Sequence, residues 1–333
     1  MSKIAKAYLQ IHIAVILFGL TAILGKLIVL PEGPLVWHRM WIGSAGLILV
    51  PGVIIGIRSM PLKSVLRFAG IGAIVALHWL AFYGSIKLGD SASIALACFA
   101  TTPFFTSFIE PLITKSKFKS EEIILGVFAI IGIYLIASVG KLYFWAIVVG
   151  LLAAVLAALF SSLNKRYIKD ENVLSVSTLE LAAGWLMIGL VLPLYPKFSF
   201  EQLFNFDSFA AIGPDGPTKV YTLFGLEIHS FWYLLVLGLL CTSLAFVLQL
   251  KALKQLNAFT TNLVINLEPV YGVLLAIWIF HENKSLNGQF YIGTALILLS
   301  VILHPWLAKK MDQNKLRTAE NTGHTSRMND KDS

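Results

Sequence analysis

Two stretches of the chain present the same features in the same order, and they decide how the fold is arranged. Residues 87–126 read KLGDSASIALACFATTPFFTSFIEPLITKSKFKSEEIILG, and residues 254–293 read KQLNAFTTNLVINLEPVYGVLLAIWIFHENKSLNGQFYIG. Each begins with a lysine and a small polar turn, continues through an apolar segment that contains Pro103 or Pro269, and passes a charged turn before a glycine. Such an internal repeat predicts two related halves.

The composition places these halves in a membrane. Of 333 residues, 57% are hydrophobic and 13% are charged. The apolar residues fall into segments of roughly 20, the number that a helix needs to cross a bilayer. Backbone groups that face lipid must be satisfied within each helix, so we expect an all-α membrane protein. Ten transmembrane helices are predicted, at residues 8–30, 35–57, 66–87, 92–114, 121–140, 142–163, 173–195, 231–250, 256–280 and 289–307.

Lysine and arginine residues are distributed unevenly between the two sides of this arrangement. With an N-terminus inside and ten spans, all but seven of the 26 Lys and Arg residues fall on the inside. Because positive charge concentrates on the cytoplasmic side, we expect both termini in the cytoplasm, in a multi-pass protein of the bacterial inner membrane. Five helices per half is an odd number, so the halves, residues 1–140 and 141–308, are predicted to be inverted repeats.

Two predicted segments lie outside the helices. Residues 196–230 form a long outside loop with several phenylalanines and a Gly-Pro-Asp-Gly-Pro turn. Loops of this length are usually functional or disordered, which leaves interfacial packing at the membrane surface and a lid over the substrate as alternatives. Residues 309–333 are polar and mixed in charge, and they are predicted to be a disordered cytoplasmic tail.

Several functional classes are not supported by the sequence. The net charge of +8 comes from short basic clusters between apolar runs, so it indicates topology and not a nucleic-acid partner. The sequence has no phosphate-binding loop, dinucleotide fingerprint or His/Cys metal spacing, and no cofactor or metal is expected. Cys98 and Cys241 lie in apolar runs and should be small buried residues. The expected partners are a small-molecule substrate and the lipid bilayer.

Glu268 is the most prominent candidate because it lies near the middle of the ninth predicted span. An ionisable group at that depth is costly and is therefore a functional candidate. On a helical wheel Glu268 shares a stripe with Tyr271, whereas Asn262 lies nearly opposite, and one of the two stripes should face a cavity. Glu268 is a candidate substrate or proton site; the alternative is a buried glutamate that bonds a neighbouring helix near Pro269.

A second group of candidates lies on the third and fourth predicted spans. His78 and Trp79 are at the middle of the third span, and the histidine could be a ligand, a proton relay or a helix–helix hydrogen-bonding group. On the fourth span Thr106 shares a face with Glu110. The predicted substrate-binding residues are His78, Trp79, Tyr83, Thr106, Asn262, Glu268 and Tyr271.

Four charged residues are predicted to act as gates or charge partners. Lys26 and Arg39 lie near the outer mouth by depth, where they either attract anionic groups or extend to the membrane interface, the second being favoured for Lys26. Glu110 is near a lysine cluster, and a gate or an ion pair at the inside mouth is expected. Glu180 lies early in the seventh span, roughly the second-half position of Arg39, and its partner is left open.

These features together resemble a known family. The segments that match are Phe18-Gly19 through Lys26, Arg39, Ser85-Ile86-Lys87, Leu267-Glu268-Pro269-Val270, and Glu282 followed by Gly293. They are similar to the EamA-type domain of the drug/metabolite transporter superfamily over residues 8–307. The resemblance implies ten helices, a central cavity between the halves, and transport of small metabolites, often export of amino acids or related compounds. The first half departs from this pattern because it has Ser116 at the turn equivalent to Glu282 and carries Glu110 instead.

The function expected from the sequence is secondary transport of a small metabolite by alternating access, with export the expected direction. Substrate should bind between the third, fourth and ninth spans, near His78, Trp79, Glu268 and Tyr271. Protonation of Glu268 would couple transport to a proton gradient, and uncoupled exit is the alternative. An integral-membrane enzyme acting on a lipid or isoprenoid substrate is the competing class, but it would need acids or histidines clustered at the membrane surface. A non-transporting scaffold is a third possibility and predicts no response to ligands.

Overall fold

The computed structural model describes residues 2–28, 30–118, 131–132, 135, 143–194, 198, 203, 212–213, 216–217, 230–265, 267–281, 287–296, 298–299 and 302–303. The predictions made for most of the fifth span and of the loop at 196–230, for Glu282 and for the tail at 309–333 lie outside the described residues. These predictions therefore stay predictions.

Helices make up nearly all of the described chain. They are α1 (Lys3–Leu27), α2 (Glu32–Ile48), α3 (Val53–Ser59), α4 (Leu62–Gly89), α5 (Ala92–Phe99), α6 (Thr102–Thr114), α7 (Phe144–Tyr167), α8 (Val173–Val191), α9 (Ser230–Gly238), α10 (Ala245–Gln255), α11 (Ala258–Ile265) and α12 (Glu268–Phe280). A 3-10 turn, Leu192–Leu194, follows α8, and a π-helix, Leu239–Leu244, joins α9 to α10. Residues 288–296 are also helical. Two short strands, β1 (Ile212–Gly213) and β2 (Gly216–Pro217), pair antiparallel.

The lengths and composition of these helices are those of a multi-pass membrane protein. Within the described residues, six helical segments are long and apolar enough to cross a bilayer: Lys3–Leu27, Leu62–Gly89, Ala92–Thr114, Phe144–Tyr167, Val173–Leu194 and Phe231–Gln255. Every predicted span except the fifth overlaps described helices throughout most of its length. The total of ten spans and the inverted arrangement of the halves stay predictions.

The second predicted span is not one straight helix. Its two parts, α2 and α3, are bent by 96° at residues 49–52. Pro51 cannot donate a backbone hydrogen bond, and Gly52 adopts a φ of 86°, a conformation that favours glycine. The span predicted over residues 35–57 thus consists of two helices, because the Pro51-Gly52 pair interrupts it.

The fourth and ninth predicted spans are each broken near the middle. The first consists of α5 and α6, and the second of α11 and α12. In both cases a proline, Pro103 or Pro269, lies within the first two residues after the break, where its missing N–H has no helical partner to lose. Each break leaves backbone groups near the middle of the fold outside the regular helical pattern.

The helices pack as two groups. The first bundle contains α1, α2, α9, α10, α11 and α12, since α1 lies against α10, α11 and α12, and α2 lies against α9. The second bundle contains α4, α5, α6, α7 and α8, since α7 lies against α4, α5 and α6, and α4 lies against α8. The bundles meet where α2 contacts α8, where α12 contacts α5 and where α11 contacts α6.

Close helix packing relies on small residues, and the outer surface is apolar. Gly72 of α4 lies against the backbone of Glu180 in α8, so a side chain there would collide with that backbone. Outside the bundles, large apolar side chains are exposed, among them Leu49, Leu190 and Leu194. Such a surface is compatible with the apolar acyl chains of lipid, which offer no hydrogen-bond partners to polar groups.

Candidate functional site

A pocket lies between the two bundles at the centre of the fold. It contains about 510 Å³ of space not filled by protein atoms, a volume that includes its opening to solvent. Six of its lining side chains are phenylalanine or tryptophan, and they come from both bundles: Phe18, Trp79, Phe82, Phe99, Phe160 and Phe246. Its polar and charged lining residues are Thr21, Arg39, His78, Gln249, Asn262 and Glu268.

Arg39 is at the centre of the protein and not near the outer mouth, as its depth in the sequence had suggested. Its side chain is fully buried. The Nε atom donates to Thr242 Oγ1 at 2.7 Å, and Nη1 donates to the hydroxyl of Tyr83 at 2.7 Å. The prediction placed Arg39 close to the start of a span that covers residues 35–57. Helix α2 instead begins at Glu32 and ends at Ile48, before the bend, so Arg39 lies near the middle of this helix.

The π-helix supplies the partners that hold Arg39. In this segment the hydroxyl of Thr242 donates to Leu237 O at 2.6 Å, a carbonyl five residues earlier. The same hydroxyl oxygen accepts from Arg39, and the carbonyl of Cys241 accepts from Arg39 Nη2 at 3.4 Å. A widened helical turn therefore directs a hydroxyl and a carbonyl toward the guanidinium, as π-segments often do at functional sites.

Aromatic rings of α4 cover the Arg39 guanidinium. Its Cζ atom is 3.8 Å from the centroid of the Trp79 ring and 5.6 Å from that of Tyr83. The face of an aromatic ring attracts a cation, most strongly where water is excluded. Trp79 was predicted to contact the substrate and does line the pocket, whereas Tyr83 lies behind it and positions Arg39.

Glu268 lines the same pocket from the first turn of α12. Its side chain is 4% exposed, and no described group donates a hydrogen bond to its carboxyl group. Arg39 and Glu268 form no ion pair with each other. The pocket therefore contains two groups of opposite formal charge that are held apart, and the N-terminal end of α12 favours negative charge at Glu268.

Asn262 and Glu268 line the pocket together, although the helical wheel had placed them on nearly opposite faces. The prediction of opposite faces was wrong because the wheel assumes one continuous helix, and the chain breaks between α11 and α12. Asn262 Nδ2 donates to Thr106 Oγ1 at 2.8 Å and to Ser161 Oγ at 2.7 Å. Asn262 thus joins α11 to two helices of the second bundle.

His78 lines the pocket and also bonds a neighbouring helix. Its Nδ1 atom is 2.8 Å from the carbonyl oxygen of Ala153 in α7, a distance at which a protonated Nδ1 donates. The ring lies between Phe99 and Phe160, with centroids 5.5 Å from each. The helix–helix bond considered from the sequence is present, and it fixes the ring at the pocket wall.

Two of the predicted substrate contacts lie away from the pocket. Tyr271 is 43% exposed on the outer surface of α12, and its Cβ atom faces Gly19 of α1. Thr106 is fully buried behind Asn262 and accepts its hydrogen bond. The structure thus brings together His78, Trp79, Asn262 and Glu268, and it adds Arg39, which had been assigned to a gate.

The remaining predicted charge partners have specific contacts. Lys26 is 8% exposed, and it donates to the backbone carbonyl of Asp90 at 2.7 Å. Glu110 accepts from the backbone N–H groups of Ala258 and Phe259, at 3.0 and 2.7 Å, and so caps α11.

Glu180 is fully buried in α8, away from the pocket. Asn164 of α7 donates to its Oε2 atom at 3.2 Å, which supplies the partner that the sequence could not name.

Sequence reasoning missed Gln249 and Thr242. Gln249 is a buried polar residue of α10 that lines the pocket, and a search for every polar residue inside an apolar run would have found it. The contact of Thr242 with Arg39 depends on the π-helix, and the sequence gives no clear signal for a π-helix. Cys98 and Cys241 are buried free thiols, as predicted. Within the described residues no three His, Cys, Asp or Glu side chains are grouped as metal ligands.

Comparisons with known proteins agree with this architecture. A family model described as the EamA-like transporter family matches residues 5–138 and again residues 144–304. The permease-like protein YdzE of Bacillus subtilis (strain 168) is 39% identical over 67 residues, which cover 20% of this chain and 83% of that protein. A solved structure described only as the crystal structure of a protein aligns with a TM-score of 0.62 at 16% identity, over 92% of this chain and 99% of that chain. At this identity the likeness concerns the fold alone.

Proposed function

This chain belongs to the EamA-like transporter family, and we propose that it moves a small zwitterionic metabolite, such as an amino acid or a related compound, across the bacterial inner membrane by alternating access. It is a multi-pass membrane protein of a family of permeases. The observation that supports the proposed substrate is the pocket between the bundles, in which a guanidinium and an unpaired carboxyl group face the same space among aromatic rings.

The two charged groups suit the two ends of a zwitterion. A guanidinium has five N–H donors, and the contacts of Arg39 use three of them. Two donors are left for a carboxylate, which guanidinium groups bind well. Glu268 can accept from the ammonium group of the same substrate. The surrounding rings favour an apolar or aromatic substituent and add attraction for the ammonium group.

The packing of the helices supports an alternating mechanism. If the two halves are exchanged, α1 takes the place of α7, and the α4–α6 segment takes the place of α9–α12. The contacts of α1 with α10 and α12 then become those of α7 with α4 and α6, which are also present. Two equivalent packings of related sequence have similar free energies, so a ligand between them can shift the population from one to the other.

Topology has a direct test. A reporter that is active only in the cytoplasm should be active when it is fused after Leu307, and a reporter at Asp215 should behave as external. The opposite result at either site would overturn the ten-span arrangement and the cytoplasmic position of both termini.

Substrate and direction are tested with the purified protein. In a thermal-shift screen of amino acids, nucleotides and carboxylates, a zwitterion should raise the unfolding temperature of the protein, because a ligand that binds only the folded state stabilises it. The stabilising compound should then show counterflow in proteoliposomes. Uptake driven by a gradient that is acidic inside the vesicles would support proton antiport, the coupling expected for export, whereas counterflow without a gradient response would reject coupling. Stabilisation by carboxylates alone, or by no compound in the screen, would contradict the proposed substrate class.

A further inference from the structure

Two lysines join the bundles at one end of the pocket. Lys26, in the last turn of α1, donates to the carbonyl of Asp90, the C-cap residue of α4, at 2.7 Å. In the reverse direction, Lys87 of α4 donates to the carbonyl of Ile28, the C-cap residue of α1, at 2.6 Å. Each ammonium group therefore binds the C-terminal end of a helix in the other bundle, where carbonyl groups concentrate negative charge.

Two further lysines make the corresponding contacts in the second half. Lys165, in the last turn of α7, donates to the carbonyl of Leu256, the C-cap residue of α10, at 2.5 Å. Lys254 of α10 donates to the carbonyl of Glu171, in the connection that follows α7, at 2.8 Å. Again each lysine reaches from one bundle to the other.

The two pairs occupy equivalent positions in the repeat. Asp90 directly precedes Ser91, whose hydroxyl accepts from the backbone N–H of Ile94 at the start of α5. Leu256 directly precedes Asn257, whose side chain accepts from the backbone N–H of Thr260 in the same way. Lys26 and Lys165 thus bind the same structural position, the residue before the capping residue of the first broken helix.

The pairs lie at opposite ends of the protein. The broken span of α11 and α12 begins beside Leu256, where Lys165 binds, and it ends at Phe280. The ring of Phe280 has its centroid 5.1 Å from Lys26 Nζ. One span therefore connects the two lysines through the length of the bundle, with Glu268 between them.

We propose that these lysines are the positioning residues of the transport cycle: Lys26 with Lys87 clasps the bundles at one end of the pocket, Lys165 with Lys254 clasps them at the other, and the two clasps open in alternation. The hydrogen bonds of both clasps are formed in this structure. Opening one end requires its ammonium groups to leave the carbonyls of the opposite bundle, and the closed clasp at the other end prevents a continuous path. The contacts are charge-assisted hydrogen bonds, so they are strong enough to influence the equilibrium and are still reversible. This inference rests on the alternating access proposed above.

The test measures access to the pocket from each side, and it requires no substrate. Ala157 lines the pocket. The substitution Ala157→Cys, made in a protein whose two native cysteines are removed by Cys98→Ala and Cys241→Ala, therefore places a single reporter thiol in the pocket. A membrane-impermeant maleimide is applied to right-side-out and to inside-out vesicles. Lys26→Met with Lys87→Met should raise the labelling rate about tenfold from the side on which these two lysines lie, and it should lower the rate from the other side. The reason is that the intact clasp of Lys165 and Lys254 then keeps the other end of the pocket closed. Lys165→Met with Lys254→Met should give the reverse pattern.

Matched controls separate a clasp from a general effect of charge. Lys169→Met with Lys251→Met removes two exposed lysines close in sequence to the second clasp, and labelling should stay at the reference rate. Lys26→Arg and Lys165→Arg retain the donor and should stay close to the reference rate. If a double variant does not purify as a monodisperse species, Lys26→Gln and Lys165→Gln should give smaller shifts of the same opposite signs and decide the question.

The proposal is overturned if both clasp variants shift labelling in the same direction, or if neither differs from the Lys169 and Lys251 control. Because the readout is accessibility, a protein that shows opposite shifts but transports no zwitterion would contradict the proposed substrate and leave the clasps supported. A protein with counterflow and no opposite shifts would support transport and reject the clasps.

Discussion

The α5–α6 pair and the α11–α12 pair share a backbone design and differ in chemistry. The first helix of each pair has 8 residues and the second has 13, with a proline at the second position of the longer helix. Both pairs end in a residue with positive φ, 59° at Lys115 and 53° at His281. The two breaks therefore fall at the same place in the repeat.

The difference lies in the side chains at corresponding positions. The first residue after the break is Thr102 in one pair and Glu268 in the other. Thr102 is satisfied, because its hydroxyl donates to Phe99 O at 2.6 Å, whereas the carboxyl group of Glu268 faces the pocket. Leu96 of α5 likewise corresponds to Asn262 of α11. The two breaks share a backbone geometry, whereas only the second presents a carboxyl group to the pocket.

The largest expected effect follows from removing the charge that distinguishes the two breaks. Glu268→Gln should lower counterflow by at least about tenfold, because a desolvated charged partner of the substrate is typically worth more than 1.4 kcal/mol. The unfolding temperature should change little, since no described group bonds this carboxyl group. Thr102→Val, at the corresponding position, should retain transport. Wild-type flux with unchanged pH dependence in Glu268→Gln would reject both the binding role and the proton-carrier role.

Trp79→Ala and Tyr271→Ala test whether the pocket or the outer face of α12 binds the substrate. Trp79→Ala should weaken binding about two- to thirtyfold, since a cation–aromatic contact is worth about 0.5 to 2 kcal/mol. Tyr271→Ala should bind normally, because the Tyr271 side chain lies outside the pocket. Dissociation constants from the ligand-dependent unfolding temperature measure both. Equal losses in the two variants would place the site elsewhere.

Asn262→Leu makes α11 more like α5 and should destabilise the protein by about 1 to 2 kcal/mol, since hydrogen bonds between membrane helices contribute about 0.6 to 1.7 kcal/mol each. It removes the hydrogen bonds to Thr106 and Ser161, whose hydroxyls still donate to carbonyls of their own helices. Leu96→Met, at the corresponding position, should cost less. Unfolding in detergent provides the measurement, and an unchanged Asn262→Leu would show that these bonds do not connect the bundles.

The smallest effects are expected at the helix caps that precede the two broken spans. Ser91→Ala and Asn257→Ala should each lower stability by about 1 kcal/mol, because each removes a side-chain acceptor for a backbone N–H. Similar losses would fit the shared design of the two pairs. A much larger loss in one of them, measured by the same unfolding experiment, would show that the repeats are not equivalent at their ends.

The sequence predicted the membrane environment, the family and most span positions, because each depends on local properties. Apolar length identifies a helix that can cross a bilayer, and proline and glycine identify its interruptions. The repeat was predicted for the same reason, since Pro103 and Pro269 occupy corresponding places in similar apolar segments. Intramembrane polar residues also pointed to the pocket, and His78, Trp79, Asn262 and Glu268 do line it.

The predictions that failed depended on helix breaks and on contacts between segments. Arg39 was assigned to a mouth, although it is held at the centre by Tyr83 and by a π-helix of another span. Tyr271 was placed beside Glu268 on a continuous wheel, but the positions of α11 and α12 follow from their break and from packing against α1, α5 and α6.

The sequence by itself determined that this chain crosses a membrane repeatedly and predicted two related halves, because hydrophobic length and internal repetition are encoded locally. Only the tertiary structure decided which polar groups meet. The pocket and the lysine clasps join residues far apart in the chain, and their geometry depends on helix bends, breaks and packing that no single segment specifies.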